Sequence, residues 1–340
     1  MGAGEKAMSI RSKSSIKYLG NEIMNEARRG SATGEKLIMT LNGIHATGIK
    51  SLKNLEQSHI DKFLSNLSNK VNAGVLSKSS FNSYATSINH IVNHVNLVYR
   101  DKLHKIEASD WGQSRNMSEN ANINKANSRE DVDAVIKELG NIYKETGDKR
   151  ALLLQCKLEL QHEFGLRYRE SQMIKLLTKD ISNNILQITM KGDGAKNSRA
   201  REIPIVTERQ REVFYKLRDV IKENGLKNLN VGSGKEGCNN DNYLLDKARE
   251  RVGVYVHFHG ERHERAHEIF TNFYEGKGYH NIKCIAETGE SKQEWFSRVG
   301  EQTGMSKKEL KSFNDNARQA ISNEFGHKRL RITNSYLGEY

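Results

Sequence analysis

In the stretch "SHIDKFLSNLSNKV" the apolar residues Ile60, Phe63, Leu64, Leu67 and Val71 fall on one face of a helix, and Ser58 and Asp61 have the spacing of a capping box. In "SKSSFNSYATSINHIVNHV", Phe81, Tyr84, Ile88, Ile91 and Val95 form a second stripe, with serine and lysine at its start and on its other face. A further helix is expected over Ile16 to Ala27. Stripes of this kind predict a bundle whose apolar faces meet in one core.

After Trp111 the pattern stops. "GQSRNMSENANINKANSRE" is polar, rich in Asn and Ser, and has little to bury. A capped helical pattern resumes near Ser128, so the chain divides into a helical domain at 1–111, a linker at 112–127 and a second domain at 128–340. The second domain mixes periods. Ile185 to Met190 and Glu202 to Val206 alternate with the period of strands around a Gly- and Lys-rich turn, which predicts a β-hairpin. Pro204 is the only proline and marks the second strand as an edge. Helices are expected over Arg150 to Phe164, Glu170 to Leu177 and Glu208 to Glu223. The fold class is mainly α with a small β-hairpin or sheet, the second domain being α+β.

Composition adds a partner. The 340 residues carry a net charge of +12, and the excess is spread: residues 1–110 hold 15 Lys+Arg against 9 Asp+Glu, and the remainder 39 against 33. Both parts can therefore face one polyanion, and nucleic acid is the commonest for a basic protein of this kind. Cys156, Cys238 and Cys284 are few and odd in number, which argues against a disulfide framework and for a reducing compartment. No segment approaches the roughly eighteen apolar residues of a membrane span, and no signal-peptide core is visible. A bacterial cytoplasmic or nucleoid location, with no membrane partner, is expected.

Candidate chemistry gathers in "HFHGERHERAH", His257 to His267. From His263 it reads H-E-x-x-H, the zinc metalloprotease pattern of His263, Glu264 and His267, with Glu287 or Glu290 available as a third ligand. Phe270 and Phe273 occupy the positions where the extended zinc motif needs Gly and His. From His259 the same stretch reads H-x-x-R-H. Elsewhere, Arg167 and Glu170 stand at a helix start after Gly165, a position suited to an anion. Lys191 is followed by glycines at the hairpin tip, with Lys196, Arg199 and Arg201 close behind. His327 precedes Tyr336 by nine residues. Each of these alone is as well explained by a surface ion pair, a solvated turn or a packed tyrosine. Taken together they supply two arginines, a lysine, two histidines and a tyrosine.

In that order the residues resemble the tyrosine recombinases, or phage integrases. "GLRYRE" is similar to their G-L-R-x-x-E box, "KGDGAK" to the K-G-x-x-K hairpin, "HGERH" to H-x-x-R-H, and "FGHKRLRITNSY" to L-G-H followed by the nucleophilic tyrosine. The likeness spans Phe164 to Tyr336, and the N-terminal helices look like the family's SAM-like core-binding domain. The resemblance implies that Tyr336 attacks the scissile phosphorus of double-stranded DNA to form a 3′-phosphotyrosyl link, without ATP. It implies that Arg167 and Arg262 hold the phosphate oxygens, that Lys191 protonates the leaving oxygen, and that His259 serves as base while His327 donates to the phosphate. Glu170 and His263 are expected to brace these groups. Lys78, Ser80, Lys196, Arg199 and Arg201 are expected to contact DNA. No cofactor and no metal are implied.

The implied assembly is a homotetramer on synapsed DNA, monomeric or dimeric when free, with accessory DNA-bending or directionality proteins as further candidates. Integration or excision of a mobile element or prophage is the expected task. A type IB topoisomerase or telomere resolvase shares the chemistry and is the alternative, and a DNA-binding protein that has lost cleavage is a third class. On this reading His267 is a helix-surface or structural histidine, so its loss spares cleavage while loss of Arg262 abolishes it. The chain departs from the family in a long interval from Arg262 to His327, which looks like inserted helices and loops facing DNA or a neighbouring subunit. It also departs in the short stretch after Tyr336, where many members place an element that docks on the next protomer.

Overall fold

A computed structural model describes residues 10, 12–26, 31–100, 103–114, 123–174, 184–188, 200–230, 234–327 and 329–340, the side chains at 31–33 and 234–236 excepted. The chain divides into two compact units, Met1–Met117 and Ser118–Tyr340.

The first unit is helical: α1 (Lys13–Glu26), α2 (Ser31–His45), α3 (Gln57–Asn72) and α4 (Lys78–Tyr99). Ile60, Leu64, Leu67, Phe81, Ile88, Ile91 and Val95 enter one apolar cluster, and Phe63, Val71, Tyr84 and Trp111 pack against it half-buried. The expected α3 cap differs. The helix begins one residue before Ser58, because the Glu56 N–H donates to His59 Nδ1 at 3.3 Å and the Ser58 hydroxyl donates to the Glu56 carboxylate at 3.4 Å. α4 is capped by Ser77, whose side chain accepts from the Ser80 N–H at 3.1 Å.

Two residues assigned to the linker are in fact anchors. Gln113 is buried in the first unit, donating to Ser68 and Asn72 at 3.1 and 3.0 Å while its carbonyl accepts from Asn82 at 2.8 Å. Asn127 is buried in the second unit, bonded to the His257 backbone and to Glu261. Polar composition hides this, since a buried, hydrogen-bonded amide looks like a loop residue in sequence.

The second unit runs α5 (Arg129–Thr146), α6 (Lys149–Phe164), α7 (Tyr168–Met173), β1 (Ile185–Ile188), β2 (Arg201–Pro204), α8 (Glu208–Glu223), α9 (Gly234–Val252) and α10 (Gly260–Glu275). It ends with α11 (Ile285–Thr288), α12 (Lys292–Thr303), α13 (Lys307–Glu324) and α14 (Asn334–Leu337). α6 is the central element. It is buried on nearly every side, and its polar side chains survive there by pairing with neighbours. Lys157 meets Asp241 of α9 at 2.5 Å, Glu159 meets Lys216 of α8 at 2.6 Å, and His162 meets Glu261 of α10 at 2.7 Å.

The strands form an antiparallel pair with Leu186 opposite Ile203 and Ile188 opposite Arg201. Leu186, Ile188, Arg201, Ile203 and Ile205 face inward. The pleat therefore turns Arg201, expected as a DNA contact, into the core. The long interval after Arg262 is likewise a core rather than a surface insertion. Trp295, Phe296, Leu310, Ala317 and Ile321 cluster with Phe270 and Tyr274 of α10 and with Tyr336 and Leu337. Trp295 is sealed in, its indole N–H donating to the Lys283 carbonyl at 2.8 Å. Among the described residues no helix is long and apolar enough to cross a membrane.

Candidate active site

Tyr336 lies on the short α14, buried, with its ring against Phe325 at 5.2 Å and His263 at 4.9 Å between centroids. Its hydroxyl accepts from Arg262 Nε at 3.1 Å and stands 3.4 Å from His327 Nε2. The nine-residue spacing between His327 and Tyr336 thus closes into a direct contact.

Arg262 sits in the first turn of α10 and is wholly buried. Nη1 donates to the Gly165 carbonyl at 2.7 Å and Nη2 to the Phe325 carbonyl at 2.9 Å, so one guanidinium joins the ends of α6 and α13 to the tyrosine. Burial pulls it down to about 10, with Arg167 and Arg201 acting in the same direction. Gly165 explains its own place in "GLRYRE". It caps α6 at φ +58, and a β-carbon would lie 2.7 Å from Arg265 Cγ. Gly260 in "HGERH" leaves room for Asn127 in the same way.

Beside Arg262, Glu170 lies on α7 with no exposure. Its carboxylate accepts from Arg167 Nη1 at 2.7 Å and from both terminal nitrogens of Arg201 at 2.7 and 2.6 Å. Burial pushes it up, but the Arg201 hydrogen bonds, then the Arg201, Arg167 and Arg262 charges, prevail and hold it at about 2. One carboxylate against three guanidinium groups leaves this corner with an excess of two positive charges. Such an excess attracts a phosphate.

His259 is exposed at the N-cap of α10, its ring 5.1 Å from His263 and 6.0 Å from Tyr336. His263 is buried, and desolvation together with the neighbouring histidines pushes it down to about 3, so it is neutral. Of the other expected residues, Lys191, Lys196 and Arg199 lie outside the described residues. Lys78 is exposed and Ser80 half-buried at the start of α4, in the first unit.

Two residues in the second unit were not expected, and a third takes one of the two places expected for it. Arg318 of α13 is buried and donates to the Asn334 side chain at 2.9 Å and the Gly338 carbonyl at 3.0 Å, pinning the chain on both sides of the tyrosine. Its guanidinium also lies 3.9 Å from the Tyr340 ring. Glu261, inside the histidine-rich stretch, pairs with His162 and Asn127 and fixes α10 against α6. His267, expected as a helix-surface or structural histidine, is the structural one: it is buried, and its Nε2 lies 2.9 Å from the Tyr336 carbonyl oxygen. The period of an amphipathic helix would have flagged His267 as inward, three and four residues from Phe270 and His263.

The protease reading of the same stretch finds no support. Among the described residues the one cluster able to hold a metal is His267, Cys284 and Glu287, and His263 is not part of it.

No protein-family model matches the chain, and no curated protein matches it in sequence. Its shape is matched. The XerH site-specific recombinase, solved bound to its difH substrate before cleavage, superposes with a TM-score of 0.52 at 15% identity over 96% of this chain and 80% of that one. The Tn1549 transposon integrase, solved with transposon right-end DNA, gives 0.50 at 14% identity over 96% and 95%. The chain has the fold of the tyrosine recombinases, as the order of its motifs implied.

Proposed function

We propose that this chain is a site-specific DNA recombinase that cleaves and rejoins strands through a tyrosine nucleophile. The observation that carries the reading is the placement of the Tyr336 hydroxyl, 3.1 Å from Arg262 and 3.4 Å from His327, beside the Arg167–Glu170–Arg201 group. The two structural relatives hold DNA, which fits a chain of net charge +12.

The hydroxyl oxygen accepts from Arg262, so its own proton is free to point to His327 Nε2. The distance is long for a hydrogen bond, as is common before substrate arrives. His327 is therefore the nearer base, while His259, at the helix N-terminus, faces the incoming phosphate; the resemblance assigned these roles the other way round. The hydroxyl also covers the Nε edge of Arg262, an edge that a phosphate oxygen could use. DNA binding must exchange that hydrogen bond for one to phosphate, which frees the tyrosine as the arginine engages its target. Attack on phosphorus then passes the tyrosine proton to His327, forms the phosphotyrosyl ester and breaks the bond to the 5′-oxygen, which takes its proton from Lys191 and leaves as a hydroxyl, while Arg167 and Arg262 stabilise the added negative charge. Arg201 and Glu170 keep Arg167 oriented. Lys78, Ser80, Lys196 and Arg199 are the proposed DNA contacts, and a homotetramer on paired sites the proposed working state.

The test is trapping. Incubated with nicked substrates from candidate attachment sites in the presence of a chelator, the protein should form an adduct that maps to Tyr336, and Tyr336→Phe should bind DNA without forming it. An adduct that persists in Tyr336→Phe, or that needs added divalent metal, would overturn the mechanism. Rejoining of two different sites would distinguish a recombinase from a topoisomerase.

A further inference from the structure

Beneath the tyrosine, His267 of α10, Cys284 at the N-cap of α11 and Glu287 of α11 bring a ring nitrogen, a thiol sulfur and a carboxylate oxygen to within 4.8 Å of one another. We infer that this trio is a binding site for a thiophilic divalent cation of the zinc class. His267 and Cys284 are buried and Glu287 is half-buried, so the site is enclosed on the protein side and open on one.

The donor set is suited to such an ion. Imidazole nitrogen, thiolate and carboxylate all bind zinc, and bonds of about 2.0–2.3 Å place tetrahedral ligands roughly 3–4 Å apart, a small contraction of the present spacing. Thiolate and carboxylate together carry two negative charges, so the occupied site is neutral, as a buried place requires. The ring tautomer is already set. The Tyr336 carbonyl can only accept, so His267 Nε2 carries the proton and Nδ1 keeps its lone pair. Metal-binding histidines are commonly held by such a second hydrogen bond. The other two ligands are also held together, because the Cys284 N–H donates to Glu287 Oε2 at 3.0 Å across one helical turn. Water would fill the fourth position.

On binding, the Cys284 thiol gives up its proton to solvent and its sulfur lone pair to the ion, and no electron is transferred. The ion is a brace and takes no part in cleavage. If Tyr336 is the nucleophile, as proposed above, the brace fixes the ring that holds its backbone. His267 is then a ligand to an ion that His263 does not touch, so the H-E-x-x-H spelling contributes one histidine and not its pair.

The test uses the full chain, reduced, stripped with chelator and titrated with Co²⁺ as the probe. The expected result is a sulfur-to-cobalt charge-transfer band that saturates near about one equivalent. Cys284→Ser should lose the band, Glu287→Gln should keep it but require at least about tenfold more Co²⁺, and Cys238→Ser should leave the titration unchanged. Absence of the band in the unaltered chain would overturn the site, as would an unchanged titration in Glu287→Gln, whose half-buried position makes it the variant safest for folding. Tyr336→Phe should bind Co²⁺ normally. Failure of the metal site thus leaves cleavage in chelator untouched, and failure of the cleavage reading leaves the titration untouched.

Discussion

The two units bury different things. In the first, the core is Ile, Leu, Val and Phe, and among the described residues the only buried polar side chains are Thr40, Ser87, His94 and Gln113. The second buries Lys157, Glu159, Glu163, Glu170, Arg201, Asp241, Glu261, Arg262 and Arg318. Buried charge contributes little net stability, because desolvation offsets the attraction of each pair. Among the described residues its concentration in the second unit fits the oriented charge that the proposed chemistry needs. The first unit is held by apolar area, and the second sets Tyr336 among guanidinium groups at some cost in tolerance to change.

Substitutions should break this contrast unequally. Arg262→Ala should lower adduct formation by about a thousandfold, since it removes the donor nearest Tyr336 along with the links to Gly165 and Phe325. Arg262→Lys should not restore activity, because an ammonium cannot span three acceptors in a fixed plane; quantifying trapped complex checks both. Next in size, Glu170→Ala leaves Arg201 buried without a carboxylate and should cost the second unit about 3–5 kcal/mol. Leu64→Ala should cost the first unit about 2–5 kcal/mol through a cavity instead. Hydrogen exchange resolved by segment should place each loss in its own unit, and adding Arg201→Met should recover part of the Glu170 loss but none of the Leu64 loss.

The pH response should also separate the units. Holding Glu170 at about 2 against an ordinary 4.5 corresponds to roughly 3 kcal/mol, present above pH 4.5 and lost as the pH falls through 2. His162 runs the other way. Although burial pushes it down, Glu261 raises it above 6.5, so its contribution is complete below that value and fades as the pH rises through its folded one. Urea unfolding across pH should thus show the second unit weakening at both ends, and His162→Gln should flatten the alkaline limb. The smallest effect is expected at Lys78, whose replacement by Ala should move stability by less than about 0.5 kcal/mol while reducing the salt dependence of DNA binding by about one phosphate contact.

How far the sequence revealed the molecule follows the same division. The first unit was legible because its apolar stripes repeat with the period of a helix, and Ile60, Leu64, Phe81 and Ile88 lie where that period puts them. In the second unit the α6 helix was expected, but its period did not show which side is buried, because Lys157, Glu159, Gln161, His162 and Glu163 turn inward along with its apolar residues. The proposed site residues were picked out by motif order, which records chemistry without geometry. Arg201 was misplaced because its charge was weighed above the alternation that put it beside Ile203. Arg318 and Glu261 escaped for another reason. Each acts through a partner many positions away, Arg318 on Gly338 and Glu261 on His162, and no local pattern marks such pairs.

The chain has two tryptophans, and each unit holds one. Trp111 is half-buried at the edge of the first core, and Trp295 is sealed in the second, its ring tilted against Phe270 on the helix that carries Arg262. Trp295 should therefore emit at shorter wavelength and resist acrylamide quenching, whereas Trp111 should emit to the red and quench readily. Trp111→Phe and Trp295→Phe proteins become optical reporters for one unit each. With no dye attached, a stopped-flow trace could then time the response of the helical unit to DNA against the response of the unit that carries the tyrosine.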